Sequence, residues 1–334
     1  MANKSANAGS RNTMTVSKWF DEWIRLYKVR TVKRNTLDTY QFIYSVHIGP
    51  QIGKRRLGSV KDRDLQKLLN VMSDKNYSNG TISLTRIVMN GMFQQACRNH
   101  LIANNPCTYL VLPAGTEAKK TTVFTRSQQQ LFMSYVTESR YADLFLLALS
   151  TGMRCGELGA LQRKDVDLKR NVIHVRHTIR FVKGGKYELS TPKSDHSVRS
   201  IPLLSAAREI LKQPGYASKA PDEFIFAIDG QPIDKGRITR EMQRIVRLIR
   251  KNGCDFPDCS PHTLRHSFAT RCIEAGMKPK VLQEILGHSD ISITLNTYVT
   301  IQEDEKRRQM HMLDTFVKKN NLAQSACTQQ AGQA

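Results

Sequence analysis

Proline and glycine are scarce in this 334-residue chain, at 11 and 19 residues, and neither forms a repeat. Low-complexity and collagen-like sequence is thereby excluded. Acidic residues are also in deficit: 29 Asp and Glu stand against 51 Lys and Arg, a formal charge of +22. No apolar run approaches the ~20 residues needed to cross a bilayer as a helix. The longest, Ala142 to Met153, is interrupted by Asp143, Ser150 and Thr151. The opening MANKSANAGSRNTM has no apolar stretch of the kind a secretory signal requires, so a cytoplasmic protein is expected. The cysteines are seven, an odd and scattered set that argues for reduced thiols over a disulfide framework. Cys254, Cys259, His262 and His266 are zinc-type ligands, but only two residues separate the Cys pair from the His pair. A zinc finger places ~12 residues there, so no metal and no cofactor are expected.

What is present is a folded, basic protein. With 40% hydrophobic residues and roughly 100–200 residues per domain, two domains are expected. Between Met14 and Leu112 there are 15 Lys and Arg against 6 Asp and Glu. The excess falls in two runs, Lys28, Arg30, Lys33 and Arg34, and Lys54, Arg55 and Arg56. Such a field attracts phosphate backbones, and these seven residues are the candidate DNA contacts. Val16, Trp19, Phe20, Trp23, Ile24 and Tyr27 follow the spacing of an amphipathic helix. Similar patterns at 36–47, 60–72 and 81–100 predict a helical first domain over 14–103, after a disordered leader at 1–13. Breaker residues from Asn104 to Lys120 predict a linker over 104–123. The second domain, 124–319, opens on a capping-box pattern at Thr125 and Gln128. Val, Ile and Thr over 171–180, the turn Lys183-Gly-Gly-Lys186 and a broken extended stretch to Leu203 predict a small antiparallel sheet. Helical patterns return at 238–251, 262–275, 280–286, 292–299 and 303–319. An uncharged tail, 320–334, is expected to be disordered. The class is mainly α with a small antiparallel sheet, an α+β fold.

Arg154 follows the apolar helix Leu144–Leu149 in Thr151-Gly-Met-Arg154-Cys-Gly-Glu157-Leu, with Glu157 placed to fix its guanidinium. His262 and Arg265, three residues apart, face one point on a helix. His288 follows a helix-ending Gly287, and Tyr298 lies ten residues later. Two arginines, two histidines and a tyrosine suit phosphoryl transfer. Arg forks clamp the non-bridging oxygens of a pentacoordinate phosphorus, and a positioned phenol attacks. With a pKa near 10, that phenol needs a histidine to take its proton. Lys193, in Thr191-Pro-Lys193-Ser, is the candidate proton donor to the leaving oxygen.

The segments around Arg154, His262-Thr-Leu-Arg265-His266 and Leu286-Gly-His288…Thr297-Tyr298 resemble the three signature boxes of the tyrosine recombinases, the phage-integrase family. The resemblance runs from Met14 to about Val317, and its wording is most similar to integrases of conjugative transposons. It implies a helical core-binding domain and a catalytic domain closing as a C-shaped clamp on double-stranded DNA. It also implies a homotetramer on two sites, and accessory proteins that bend DNA or set direction. The catalytic set it implies is Arg154, Lys193, His262, Arg265, His288 and the nucleophile Tyr298, with Glu157 in support. Cleavage would leave a 3′-phosphotyrosyl link and a free 5′-hydroxyl, with neither ATP nor a metal required. The helix after the nucleophile, with Met310, Leu313 and Phe316 on one side, is expected to dock on a neighbouring protomer. Many such integrases carry an arm-binding domain before the core-binding helices; here those helices follow a short polar leader, so no arm-site binding is expected. The expected location is the bacterial cytoplasm, on the nucleoid when DNA is bound. A type IB topoisomerase would share the chemistry without pairing two sites. A non-catalytic regulator would explain the charge but not the Arg, Lys, His and Tyr set, and a metal-dependent nuclease would be inhibited by EDTA.

Overall fold

A computed structural model describes residues 14–113, 122–182, 186–190, 198–287 and 303–319, with side chains in the last stretch at 310–315 and 317–319. The chain divides into two units, Met1–Lys120 and Thr121–Ala334.

In the first unit α1 (Val16–Trp23) is capped by Thr15, whose hydroxyl accepts from the Lys18 amide. It continues into a wider π-helical turn, Ile24–Lys28, in which the Val29 amide donates to the Ile24 carbonyl. Helix α2 (Arg34–Ile43) runs into a second such turn, Tyr44–Ile48, and then the short α3 (Gly49–Ile52). Helices α4 (Asp62–Asp74) and α5 (Asn79–Arg98) complete the bundle. The long α5 is its spine and packs on α1, α2 and α4. Trp19 and Trp23 are fully buried, and the Trp19 indole N–H donates to the Met92 carbonyl at 2.8 Å. That bond satisfies the polar end of a large apolar side chain, as burial requires. Cys107 and Leu110 are buried in the same core, and Gln66 exchanges two hydrogen bonds with the Val111 backbone. The packed chain of this unit therefore runs beyond residue 103.

The second unit opens on α6 (Arg126–Val136), whose capping box forms between Thr125 and Gln128. Helix α7 (Ala142–Thr151) is apolar on nearly every side, and α6, the short α8 (Cys155–Ala160) and the later helices Ser205–Lys212 and Pro261–Glu274 all pack around it. Strands β1 (Val166–Asp167), β2 (Val172–Val175) and β5 (Arg199–Pro202) form one antiparallel sheet in the order β1-β2-β5. Strands β3 (Thr178–Phe181) and β4 (Tyr187–Ser190) form a second, with Phe181 opposite Tyr187 and Thr178 opposite Ser190. The turn expected at Lys183–Lys186 falls largely outside the described residues. After α9 (Ser205–Lys212) and α10 (Pro214–Ala217), the pair β6 (Ala227–Ile228) and β7 (Gln231–Pro232) leads into α11 (Lys235–Lys251), α12 (Pro261–Glu274) and α13 (Pro279–Leu286). Helix α14 spans Glu303–Lys319. Phe124, Phe132, Phe145 and Phe256 form the aromatic centre of this core, with ring centroids 5.2–5.7 Å apart along the chain of contacts. The buried Ser267 hydroxyl accepts from the Phe124 amide at 2.9 Å and so ties the start of the unit to α12. Cys254 and Cys259 pack against this core, and burial pushes the Cys259 thiol up to about 12.

Candidate active site

The site is organised by the end of α13. A helix leaves its last carbonyls without intrahelical partners, and here Gly287 turns the chain into the left-handed region at φ +65°. Three arginines take the exposed oxygens in sequence order. Arg199 Nε donates to the Ile285 carbonyl at 2.5 Å, Arg265 Nη2 to Leu286 at 2.6 Å, and Arg154 Nη2 to Gly287 at 3.1 Å. Cationic groups also oppose the negative end of the helix dipole. Arg265 is buried and places Nη1 on the Gly152 carbonyl at 2.8 Å. Gly152 ends α7 at φ +63°.

Beneath the arginines lies Glu157, which is 3% exposed. It accepts from the Arg154 amide at 2.9 Å and the Arg154 guanidinium at 2.8 Å. A two-bond fork from Arg199, at 3.1 and 2.9 Å, completes its shell. Burial pushes the Glu157 carboxyl up, but the bonds and charge of Arg199, followed by those of Arg154, hold it below the usual carboxylate range. His262 is exposed at the first turn of α12. Partial desolvation, then the charges of Lys235, Arg265 and Arg154, lower its imidazole pKa, so the ring is neutral at pH 7 and open to a proton. His266 lies one turn on, its ring 6.3 Å from that of His262.

Of the residues expected from sequence, the structure thus brings together Arg154, Glu157, His262 and Arg265. Lys193, His288 and Tyr298 lie outside the described residues, although Gly287 is the neighbour of His288 in the chain. The candidate DNA contacts of the first unit separate into two places. Lys28, over the Trp23 ring at 4.9 Å, Arg30, Lys33 and Arg34 follow the far end of α1. Lys54, Arg55 and Arg56 lie at its start, where the Val16 amide donates to the Arg55 carbonyl. About twelve residues of helix separate them, roughly 18 Å. Arg55 also pairs with Asp64 at 3.0 Å, and Arg34 with Asp38 at 3.7 Å. Met310 and Leu313 on α14 are more than half exposed, and the Phe316 side chain is outside the described residues.

Two features escaped the sequence. Arg199 carries no motif of its own, and its role depends on partners 42 and 86 residues away. The second is a basic concavity of about 590 Å³ lined by Arg140, Arg237, Arg240, Arg244, Arg247 and Glu241. Four of these arginines recur at steps of three and four along α11, which puts them on one face over roughly 15 Å. Glu241 is held by a two-bond fork from Arg244 and by the Ser139 hydroxyl. The spacing was readable in the sequence; the addition of Arg140 from another loop was not.

A family model described as the phage integrase family matches residues 122–305, and one described as phage integrase, N-terminal SAM-like domain, matches 15–73. The chain belongs to the phage integrase family. Similar proteins include the transposase of transposon Tn916 from Enterococcus faecalis, 28% identical over 310 residues that cover 87% of this chain and 76% of that one. A tyrosine recombinase XerC-like protein of Caldanaerobacter subterraneus is 27% identical, covering 90% and 82% of the two chains. Among solved structures, the Tn1549 transposon integrase in complex with a circular intermediate DNA superposes with a TM-score of 0.78 at 27% identity, over 90% of this chain and 99% of that one. The enzyme is a tyrosine recombinase, and its mainly helical fold with small antiparallel sheets is that of the class.

Proposed function

We propose that this recombinase integrates or excises a mobile element by cutting and rejoining DNA strands at a specific site, with Tyr298 as nucleophile. The observation that carries the reading is the convergence of Arg154 and Arg265 on consecutive carbonyls, Gly287 and Leu286, immediately before His288 in the chain. Two forks fixed to one helix end are preorganised donors for the non-bridging oxygens of a scissile phosphate, and such donors stabilise charge that develops in the transition state. The Tyr298 oxygen attacks phosphorus as His262, neutral at pH 7, accepts the phenolic proton. The bond from phosphorus to the 5′ oxygen breaks, and Lys193 protonates that oxygen. His288 donates to the phosphate beside the arginines. The ester retains the bond energy, and the 5′-hydroxyl of a partner strand reverses the step to complete the exchange.

The first unit, with the expected stretch 14–103, serves as the core-binding domain and the second, with 124–319, as the catalytic domain, both acting on duplex DNA. Lys28, Arg30, Lys33, Arg34 and Lys54–Arg56 of the first unit take phosphates, and so does the arginine concavity of α11 in the second. Four protomers pair two sites, with Met310, Leu313 and Phe316 of α14 docking between neighbours; the exposure of Met310 and Leu313 supports that role. No described helix is long and apolar enough to cross a membrane, and a place in the cytoplasm on the nucleoid fits the substrate. The deciding experiment traps the covalent protein–DNA adduct on a nicked site. Tyr298→Phe should bind DNA and form no adduct; an adduct in that variant would move the nucleophile elsewhere.

A further inference from the structure

Of the three arginines at the end of α13, Arg199 differs in kind. It starts β5, its side chain is only 5% exposed, and its guanidinium bonds in two directions. Nη1 and Nη2 grip Glu157, while Nε grips the Ile285 carbonyl. A guanidinium is rigid and planar, so these bonds hold the carboxylate and the last turn of α13 in a fixed mutual geometry. Glu157 in turn holds both the amide and the guanidinium of Arg154. An apolar pair of the same volume would serve stability as well as a buried ion pair does, but it would not orient Arg154.

We propose that Arg199 is a positioning residue for strand cleavage, a buried strut that sets Glu157, and through it the Arg154 guanidinium, against the carbonyl end of α13. This rests on the proposed chemistry, in which Arg154 and His288 act on the phosphate. Among the described charged groups, Arg199 and Arg154 act on Glu157, whereas Lys235 of the adjacent α11 acts on Cys155 and His262. Without the Arg199 fork, burial of Glu157 is opposed by Arg154 alone. The carboxyl then takes up a proton at higher pH and loosens its hold on Arg154.

The test uses the full chain with Arg199→Lys, which keeps the charge without the fork, and the double variant Arg199→Gln/Glu157→Gln, which leaves no uncompensated buried charge. Single-turnover cleavage of a nicked site is measured at saturating protein from about pH 5.5 to 8.5, with melting temperature, DNA affinity and a Tyr298→Phe control. Arg199→Lys should bind DNA with unchanged affinity but cleave about 100-fold more slowly, the loss that accompanies a displacement of roughly 1 Å at a reacting centre. Its rate should fall further as pH drops, while the double variant is equally slow without that acid limb. Wild-type cleavage by the double variant would show that Arg199 only balances charge and would overturn the proposal. The proposal also fails if Arg199→Lys cleaves normally, or loses activity only in proportion to its folded fraction. If Arg199→Lys does not fold, the double variant decides alone. Adduct formation by Tyr298→Phe would instead sink the underlying assignment of the nucleophile, a failure visible with Arg199 intact.

Discussion

Gly152→Ala is a stringent probe of how the site is held. A Cβ at this position would collide with Phe268 Cδ1 and stand 2.8 Å from Leu286 Cδ2, with the backbone at φ +63°. Left-handed backbone costs an L-residue about 1–2 kcal/mol. Phe268 and Leu286 are themselves buried, so neither side chain can retreat into solvent, and overpacking adds about 1–3 kcal/mol. The sum, about 2–5 kcal/mol, corresponds to a melting-temperature loss of roughly 4–20 °C for a unit of this size. The carbonyls of Gly152 and Leu286 also both accept from Arg265. Any shift that relieves the clash therefore moves that guanidinium. Calorimetry of the full chain gives the stability term, and single-turnover cleavage at a temperature where both proteins are folded gives the other. Cleavage should drop about 100-fold. Gly215→Ala is the control, since a Cβ there meets nothing within 4 Å and the change should stay within about 0.5 kcal/mol. A loss below about 2 °C with normal cleavage would refute the argument, because α7 and α13 would then separate freely.

Further outcomes follow from the same geometry. Arg244→Gln with Arg247→Gln should flatten the dependence of log K for DNA on log salt by about 0.9 for each phosphate no longer neutralised; an unchanged slope would remove the α11 concavity from the interface. Lys193→Ala should be rescued by DNA carrying sulfur at the 5′-bridging position, whose thiolate leaves without protonation, while Arg154→Ala should not; equal rescue of both would end the assignment of Lys193. Glu157 has a depressed pKa when folded, so its ion pairs stabilise fully above the unfolded value of about 4.3 and are lost as pH falls through the lower folded value. Melting temperatures should show that acid loss in the native chain and not in Glu157→Gln. His262 is also depressed, from 6.5, so the acid limb of wild-type cleavage should be centred below that value; a limb above it would exclude His262 as the proton acceptor.

Much of the architecture was legible because it is local. The Thr125–Gln128 cap, the all-apolar α7 and the aromatic face of α1 each depend on neighbours within one or two turns. The helix-ending Gly287 was legible too, whereas Gly152 gave no sign that Phe268 and Leu286 would press on it. The two π-helical turns left no trace, since widening one turn leaves the apolar spacing nearly intact. At the site, the boxes marked Arg154, Glu157, His262 and Arg265, whereas the carbonyls that Arg154 and Arg265 grip are backbone atoms, which every residue has. Arg199 was hidden for the same reason. Its sequence neighbours describe a strand edge, and its partners are settled only when α8 and α13 meet.

That long separation bears on synthesis. Arg154 reaches its acceptor across 133 residues and Arg199 across 86. At about 5–20 residues per second, the ribosome finishes Arg154 on the order of ten seconds before the carbonyl of Gly287 exists. A nascent chain therefore carries a basic, DNA-attracting first unit well before its cutting apparatus can assemble. Contact of that unit with the chromosome during translation leaves the strands intact, because the helix end that anchors Arg154 and Arg199 leaves the exit tunnel well after both of them.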